Sequence, residues 1–399
     1  MDILKGFNSV KQEYVDFFKP YTYNYPIVMT MEKYEEMKKL GKILFKCINH
    51  FLNNYKNYQH IMKRSDEDLS ILEICDMYNS RIGTFRTDYV VDKNNEIKII
   101  EMTTRQPLNG YFTSGFFREI ANEKATQLNI ENIFDIYPTF FNYLEQYIGQ
   151  ANHVSVIKGN EKLEEIKIYP SIFEKAGIQC HIIPIEELPQ KLNLLQNAWV
   201  IEELNFREIR SFPSEIIHAL AECNLHNAIK SIFTTHDKRF FYVLNHPDFI
   251  SDILNEEEAS HLKKYLVPTY IFDSNPAVWK DAYENKGNYI LKHQIKGKSV
   301  DIYAGCVTDE KKWKNLIDSE EIKDMILQPF IEQKKFDGFV GDEKRHDFVA
   351  GTLLYFNDQF FGQGLFRTSS HPVTNIIDNR KIAQLTAKVD KQRSDIYYL

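Results

Sequence analysis

The spacing of apolar and polar residues predicts a helical beginning for this chain, followed by a β-hairpin. Apolar residues recur at helical intervals from Met31 to about Tyr55, with Glu, Lys and Asn between them, which predicts an amphipathic helix packed on a core. Residues 86–91 and 97–101 are short β-rich runs on either side of a polar turn at residues 92–95. This arrangement predicts two adjacent strands.

The middle of the chain has an alternating pattern. A short apolar run at residues 154–157 precedes a helical period at 161–176, which stops at Gly177, and strand-like runs follow at 180–185 and 198–204. Such alternation predicts an α/β lobe with parallel strands. No GxGxxG follows the first of these strands, so a dinucleotide site is not expected.

The last third of the chain is predicted to change from helix to sheet. Residues 234–273 have a helical pattern, and polar or glycine turns separate the later strand-like runs, as is typical of an antiparallel sheet. These runs are residues 289–292, 300–304, 325–331, 348–356 and 359–367. The final twenty or so residues are polar and are expected to form a terminal helix or tail.

These patterns predict a protein of mixed α+β and α/β class, divided into five parts. The expected parts are a helical N-terminal segment (1–80), a hairpin with helices (81–150), an α/β lobe (151–235), a strand-rich lobe (236–380) and a polar tail (381–399).

Composition and charge narrow the class of protein. The 399 residues are 43% hydrophobic and 14% aromatic, which is enough for two or three packed lobes. The net charge of −7 is spread along the chain without a basic block, so neither nucleic acid nor an anionic membrane surface is an expected partner. No apolar run has the length of a membrane span or a signal peptide, and a cytoplasmic location is expected.

The five cysteines are expected to be reduced thiols in the core. They are far apart, without CxxC spacing or a histidine at metal-ligand distance in the sequence. A reducing compartment is therefore predicted.

The predicted hairpin has the first group of candidate functional residues. Arg86 and Asp88 are two positions apart, as are Glu101 and Thr103, so all four side chains can converge on one face of paired strands. Carboxylate and hydroxyl oxygens suit Mg²⁺, and an arginine can clamp phosphate oxygens. The alternative is an exposed hairpin whose charges face water. Glu101 argues against this alternative, because it ends an apolar run, where a charged residue is unusual unless it has a partner or a function.

Lysines supply the second group. Lys292 ends a predicted strand, and a turn containing Gly297, Lys298 and Ser299 follows it. A strand, glycine turn and strand can fold over a triphosphate and donate backbone N–H and ammonium groups. A Walker A loop is excluded, because that motif needs glycine at position 292 and a following helix. Lys238 is at a predicted helix start, where an anion can bind, but a solvated surface lysine is the alternative.

A proline interrupts the apolar run at residues 325–331. Pro329 cannot donate a ladder hydrogen bond, which predicts either an ordinary edge strand or a hinge. A hinge formed by Gln328, Phe330 and Ile331 could offer backbone groups to an adenine ring.

The order of these motifs resembles the synthetase domain of glutathionylspermidine synthase and its ATP-grasp relatives. The likeness covers most of residues 80 to 375. It depends on Arg86-x-Asp88, Glu101-x-Thr103, Asp237-Lys238, Ile290-Leu-Lys292, Leu327-Gln328, Gly351-Thr-Leu-Leu and Gly362-Gln-Gly-Leu-Phe-Arg367.

The resemblance implies an ATP-grasp fold with a central α/β lobe and an antiparallel ATP-binding lobe. It also implies residue roles: Arg86, Asp88, Glu101 and Thr103 for the magnesium ions and the transferred phosphate, Lys238 and Lys292 for ATP, Gln328 for the adenine hinge, and Arg367 for the phosphates. Thr103 differs from the asparagine usual in the family and has one oxygen, which weakens its assignment as a ligand.

The function that the resemblance implies is ATP-dependent ligation. ATP is expected between residues 288–375 and the α/β lobe, with Mg²⁺ on Asp88 and Glu101. A carboxylate is phosphorylated, and an amine then attacks the acyl phosphate and releases phosphate. Expected substrates are a small carboxylate and an amine (amino acid, peptide or polyamine), free or bound to a carrier protein. An amidase is not predicted, since the first 80 residues have no plausible Cys-His dyad.

Two other functions stay open at this point. One is a catalytically silent nucleotide-binding scaffold, which the threonine at position 103 favours. The other is a kinase-like phosphotransferase that stops at phosphorylation.

Overall fold

A computed structural model of the chain describes residues 2–131, 136–161, 164–297, 299–374, 380–389 and 396–399. Its α-helices, in chain order, are α1 (Ile3–Phe18), α2 (Met31–Asn54), α3 (Asp66–Cys75), α4 (Tyr111–Leu128), α5 (Tyr137–Ile148), α6 (Ile168–Lys175), α7 (Phe206–Arg210), α8 (Ser214–Glu222), α9 (Lys230–Phe233), α10 (Phe240–Leu244), α11 (Pro247–Ile253), α12 (Glu256–Tyr265), α13 (Pro276–Glu284) and α14 (Glu310–Ile317).

The strands are β1 (Ile27–Thr30), β2 (Thr84–Val91), β3 (Ile97–Thr103), β4 (His153–Lys158), β5 (Cys180–Pro184), β6 (Ala198–Glu203), β7 (Tyr270–Ile271), β8 (Tyr289–His293), β9 (Ile302–Ala304), β10 (Met325–Pro329), β11 (Lys335–Val340), β12 (Glu343–Phe356), β13 (Gln359–Gln363), β14 (Phe366–Ser369), β15 (Arg380–Ile382), β16 (Gln384–Ala387) and β17 (Tyr397–Tyr398). Short 3₁₀ helices occur at Lys19–Tyr21, Tyr55–Tyr58, Glu164–Lys167, Ile185–Gln190, Leu192–Leu195, Lys286–Asn288 and Glu320–Asp324.

The amphipathic helix predicted near the N-terminus is confirmed as α2. The Thr30 side chain caps it by accepting a hydrogen bond from the Lys33 N–H, and its apolar face enters the main core. The buried residues of this face are Tyr34, Met37, Leu40, Gly41, Ile43, Leu44, Cys47, Ile48, Phe51 and Leu52. Among the described helices, none is long and apolar enough to cross a membrane.

Close packing of α2 against the sheet gives a stability prediction. A Cβ added at Gly41 would lie 2.3 Å from Cε1 of Tyr355, which is itself buried and cannot move freely. We therefore expect Gly41→Ala to destabilise the fold by about 1–3 kcal/mol in urea unfolding, despite the higher helix propensity of alanine. Gly287→Ala is the control, since nothing lies within 4 Å of its added Cβ. Equal stability of the two variants would contradict this packing.

The predicted α/β lobe is also confirmed. Strands β5, β4 and β6 form a parallel sheet in that order, with Val156 of β4 opposite Ile182 and Ile201. The predicted helix at 161–176 is shorter than expected, because a 3₁₀ turn precedes α6, and residues 162–163 lie outside the described ranges. The helix ends before Gly177, which has a φ of +76°.

The strand-rich region divides into two antiparallel sheets rather than one. The smaller sheet has the order β7-β10-β8-β9. The larger sheet has seven strands, in the order β15-β14-β12-β2-β3, with β11 and β13 also paired to β12. β12 is 14 residues long, so different parts of it can pair with several strands. The predicted hairpin therefore becomes part of the same sheet as the C-terminal strands.

Two further expectations are wrong. β10 is flanked by β7 and β8, so it is not an edge strand, and Pro329 stands at its end. The C-terminal residues form neither a helix nor a free tail where the structure describes them. β16 and β17 pair in parallel with β1, and the four residues of β16 are all buried. Leu385 and Ala387 add apolar area to the core, which favours a strand over an exposed tail.

The cysteines are free thiols, but their burial differs. Cys47 and Cys75 are buried, Cys180 and Cys223 are half-buried, and Cys306 is exposed. The expectation of core thiols is therefore wrong for Cys306.

Candidate functional site

The β2–β3 hairpin places the four candidate metal and phosphate residues side by side. Its register pairs Arg86 with Thr103 and Asp88 with Glu101, after a shift of one residue between Asp88 and Tyr89. The four side chains therefore converge, as the sequence predicted. Because alternate side chains of a strand share a face, the four groups occupy one face of the larger sheet. All four are buried or half-buried, so the alternative of an exposed hairpin with solvated charges is wrong.

Strand pairing brings Arg367 to the same place. Ala350 of β12 pairs with Val90 on one side and with Arg367 on the other. The Arg367 guanidinium donates a hydrogen bond from Nη2 to Oδ2 of Asp88. Oδ1 of Asp88 is buried without a described hydrogen-bond donor, and the Nε atom of Arg86 is 3.7 Å from it. One carboxylate oxygen is therefore left for a ligand.

The two candidate lysines approach the hairpin from other elements. Nζ of Lys238, just before α10, is 3.2 Å from Oε1 of Glu101 and donates a hydrogen bond to the Lys296 carbonyl at 2.6 Å. Nζ of Lys292 on β8 donates to the Ile100 carbonyl at 2.9 Å. Both lysines are 3% exposed, so Lys238 is not a solvated surface lysine.

These contacts shift the ionisation of the buried groups. Burial alone raises the pKa of Glu101, but Lys238 and Lys292 outweigh burial and hold the pKa of this carboxyl below its usual value. Burial lowers the pKa of Lys292 to about 8, although the nearby Glu101 opposes this shift. The Asp88 carboxylate raises the pKa of Arg367. At neutral pH Glu101 is therefore ionised, and Lys292 and Arg367 are positively charged.

A cleft lies between the smaller and the larger antiparallel sheet, directly above these groups. Its wall contains residues of both sheets and of the loops around them: Asp88, Val90, Ile100, Glu101, Ile290, Lys292, Ser299, Ile302, Gln328, Pro329, Phe330, Ile331, Gln333, Ala350, Arg367, Pro372, Val373 and Thr374. No residue of the β5-β4-β6 sheet lines it. This cleft therefore differs from the one expected between the strand-rich lobe and the α/β lobe, because the hairpin forms its floor as part of the larger sheet.

The predicted adenine hinge forms the end of β10. Nε2 of Gln328 donates to Oγ1 of Thr269 at 2.8 Å, while Oε1 is buried without a described donor. The Phe330 N–H donates to the Asn288 carbonyl at 2.7 Å, so this backbone donor is already used. Ile331 lines the cleft beside it.

The glycine turn after β8 closes one side of the cleft. Oγ of Ser299 donates to the Thr374 carbonyl at 3.3 Å, which ties the turn to the loop after β14. A Cβ added at Gly297 would lie 3.3 Å from Nη2 of Arg105. Lys298, the third predicted nucleotide lysine, lies outside the described residues.

The charges of the site are unbalanced. Four cationic side chains are grouped with two carboxylates, which is an excess of two positive charges, although of the four cations only Lys292 and Arg367 line the cleft itself. The cations are Arg86, Lys238, Lys292 and Arg367, and the carboxylates are Asp88 and Glu101. A polyanion such as a nucleoside triphosphate would neutralise this excess of positive charge.

The donor set fits Mg²⁺ only together with phosphate. Among the described residues, no group of three or more Asp, Glu, His and Cys side chains could hold an ion alone. Asp88 and Glu101 offer two carboxylates, and Mg²⁺ typically keeps its other positions for water and phosphate oxygens. Thr103 and Arg86 are beside these carboxylates but do not line the cleft. Thr103 is therefore the least supported of the three predicted metal ligands.

Several buried charged residues near the cleft were not predicted. Nε of Arg105 donates to Nε2 of His236 at 2.8 Å, and Nη2 of Arg105 is 3.0 Å from Oε1 of Glu161. Glu203 is 1% exposed at the end of β6. The sequence had a signal for Glu203, since it ends an apolar run as Glu101 does. For Arg105 and His236 there was none.

Comparison with known proteins shows the fold. A family model described as the AnkG N-terminal domain matches residues 38–234. No curated protein matches the chain. A solved structure of a glutathione synthetase-like effector from Globodera pallida, in its apo form, is 13% identical, covers 97% of both chains and has a TM-score of 0.63. With its several antiparallel sheets and helical N-terminus, the chain has the fold of this glutathione synthetase-like effector.

Proposed function

We propose that this chain is an ATP-dependent carboxylate–amine ligase. The main support is the cleft between the two antiparallel sheets, where Lys292 and Arg367 face the paired carboxylates Asp88 and Glu101. Such a site suits a triphosphate with Mg²⁺. The likeness to a protein named glutathione synthetase-like agrees with ligation.

The proposed roles follow from the position of each side chain. Bound Mg²⁺ would neutralise charge on the phosphates, and Asp88 and Glu101 would hold it. Lys292, on β8 of the smaller sheet, and Lys238, just before α10, would donate to phosphate oxygens. Arg367 would stabilise the charge that develops during transfer, since it is held in place by Asp88.

The proposed reaction has two steps. The oxygen of a substrate carboxylate attacks the γ-phosphorus, and the bond from this phosphorus to the β,γ-bridging oxygen breaks, which gives an acyl phosphate and ADP. A neutral amine then attacks the acyl carbon, loses a proton and displaces phosphate, which leaves an amide. Alignment and charge neutralisation are sufficient for such transfer. Arg86, whose Nε is 3.7 Å from Oδ1 of Asp88 and whose Nη1 donates to the Asn109 carbonyl, would orient the carboxylate.

Hydroxylamine trapping tests this proposal. The protein is incubated with ATP, Mg²⁺, hydroxylamine and a panel of amino acids and short peptides, and both hydroxamate and ADP are measured. We expect one class of carboxylate to give equal amounts of both products. A stable phosphorylated substrate without an amine requirement would instead indicate a kinase-like phosphotransferase. ATP binding in calorimetry without ADP formation would indicate a catalytically silent scaffold.

A further inference from the structure

The cleft between the two antiparallel sheets changes in character along β8. Lys292 lines the cleft near the paired carboxylates, whereas Ile290, two positions earlier, leaves the same face of the strand about 7 Å away. The residues at the end of β10 continue this apolar wall, since Pro329, Phe330 and Ile331 also line the cleft. The cleft therefore combines a charged end for phosphates with an apolar end that suits a flat ring.

Gln328 is a polar side chain at the apolar end. It is opposite Ile290 in the register of β8 and β10, and both residues line the cleft. Gln328 is 1% exposed, and no described group donates a hydrogen bond to its Oε1 atom. A buried acceptor without a donor costs free energy. Because Gln328 lines the cleft, a bound ligand can supply the missing donor.

Two other described residues of the cleft wall have a buried side-chain oxygen without a described donor. Oδ1 of Asp88 is at the charged end, where Mg²⁺ is proposed to bind. Oε1 of Gln333 belongs to an amide whose Nε2 donates to the Pro372 carbonyl at 3.0 Å, so this residue connects two loops at the cleft. Gln328 differs from both, since it belongs to a strand and a hydroxyl group behind it fixes its orientation.

That hydroxyl belongs to Thr269, which determines which atom of the Gln328 amide is left for a ligand. Oγ1 of Thr269 donates its only hydrogen to the Val267 carbonyl at 3.1 Å. Oγ1 can therefore only accept from the amide, and it accepts from Nε2 of Gln328 at 2.8 Å. A flipped amide would place two acceptors, Oε1 and Oγ1, against each other. This chain of hydrogen bonds thus leaves Oε1, and not the amide nitrogen, without a partner.

We propose that Thr269, by fixing the Gln328 amide, makes the cleft select a 6-aminopurine over a 6-oxopurine. This selection rests on the proposed function, since it concerns the nucleotide that the ligase uses. Oε1 of Gln328 accepts a hydrogen bond from the 6-amino group of adenine, whereas a 6-oxo group would bring two acceptors together. Thr269 is buried and does not line the cleft, so it is a positioning residue that acts through Gln328.

Calorimetry with two nucleotides that differ in the base tests this role. The β,γ-imido analogues of ATP and ITP, each with Mg²⁺, are titrated into the full chain, because hypoxanthine is the 6-oxo counterpart of adenine. We expect the wild type to bind the ATP analogue at least about tenfold more tightly than the ITP analogue.

Thr269→Val keeps the branched side chain but removes the hydroxyl group, so the Gln328 amide can turn. We expect it to weaken binding of the ATP analogue and to strengthen binding of the ITP analogue, which reduces the preference to less than about threefold. Thr269→Ser is the matched control, because it keeps the hydroxyl group and should keep the wild-type preference. Opposite changes for the two analogues are not expected from a residue that only stabilises the fold.

The outcomes separate this role from the proposed function. Equal binding of both analogues to the wild type, or an unchanged preference in Thr269→Val, would overturn the role of Thr269. An equal loss of both affinities in Thr269→Val would overturn it too. If that variant does not fold, Gln328→Leu replaces it, since loss of Oε1 should also abolish the preference, and a retained preference would contradict the inference. No binding of either analogue to the wild type would instead contradict the nucleotide site and the proposed ligase function.

Discussion

Glu101→Gln is expected to slow ADP formation by about a hundred- to a thousandfold, because it removes one of the two carboxylates that face the cleft among the described residues. The carboxyl is ionised at neutral pH, since the neighbouring lysines hold its pKa below the usual value against the effect of burial. An amide of the same shape cannot replace its charge. The rate is measured as ADP release at saturating ATP and Mg²⁺, with the carboxylate found by hydroxamate trapping.

A matched control separates the site from general effects on charge. Glu257→Gln changes an exposed glutamate on α12 that pairs with Lys39, away from the cleft, and should keep wild-type turnover. Glu101→Gln also leaves the buried Lys238 ammonium without its ion-pair partner, which can cost about 3–5 kcal/mol of stability. Circular dichroism at the assay temperature must therefore match wild type. Wild-type turnover in a folded Glu101→Gln protein would contradict the assignment.

The hairpin was predictable from sequence because it is local. Asp92 accepts hydrogen bonds from the N–H groups of Asn94 and Glu96 through its side chain, and Asn95 adopts a φ of +68°, so a few polar residues fix the turn. The turn fixes the register as far as Tyr89, which is opposite Ile99. A shift of one residue then brings Asp88 opposite Glu101, and the sequence did not reveal this β-bulge.

What the sequence could not reveal depends on contacts between distant segments. Arg367 reaches Asp88 because β12 pairs with both β2 and β14, and no local pattern encodes that choice of partners. β16 pairs with β1, which lies more than 350 positions earlier in the sequence. Because the sequence does not show this pairing, the polar composition of the last residues predicts a tail. The order of motifs indicated the role of Arg367, but only the sheet explains its geometry.

The unpaired oxygen of Glu203 illustrates a different limit. The sequence shows an acidic residue at the end of an apolar strand, but it does not show whether a hydrogen-bond donor lies next to that residue in the folded protein. Glu165 occupies the same region and is fully used as a helix cap, whereas Oε2 of Glu203 is not used by any described group. The two acids differ only in their three-dimensional partners, so no pattern in the sequence distinguishes them.

Lys292→Met is expected to weaken binding of a Mg²⁺-bound, non-hydrolysable ATP analogue by about a hundredfold, because it removes a buried ammonium from the centre of the cleft. The wild-type affinity should also depend on pH. Burial lowers the pKa of Lys292 to about 8, with the nearby Glu101 opposing, and bound phosphates would raise this pKa again. Only the charged form binds phosphate well. Affinity should therefore be constant from pH 7 to about 8 and fall above it, with uptake of a proton on binding.

Lys292→Arg isolates this effect, because a guanidinium stays protonated throughout this pH range. Calorimetry of the same analogue from pH 7 to 9.5 should show affinity falling by up to about tenfold per pH unit above pH 8 in wild type. The profile should be flat in Lys292→Arg, and flat but weak in Lys292→Met. A slope in Lys292→Arg equal to that of wild type would contradict the assignment of the titration to Lys292.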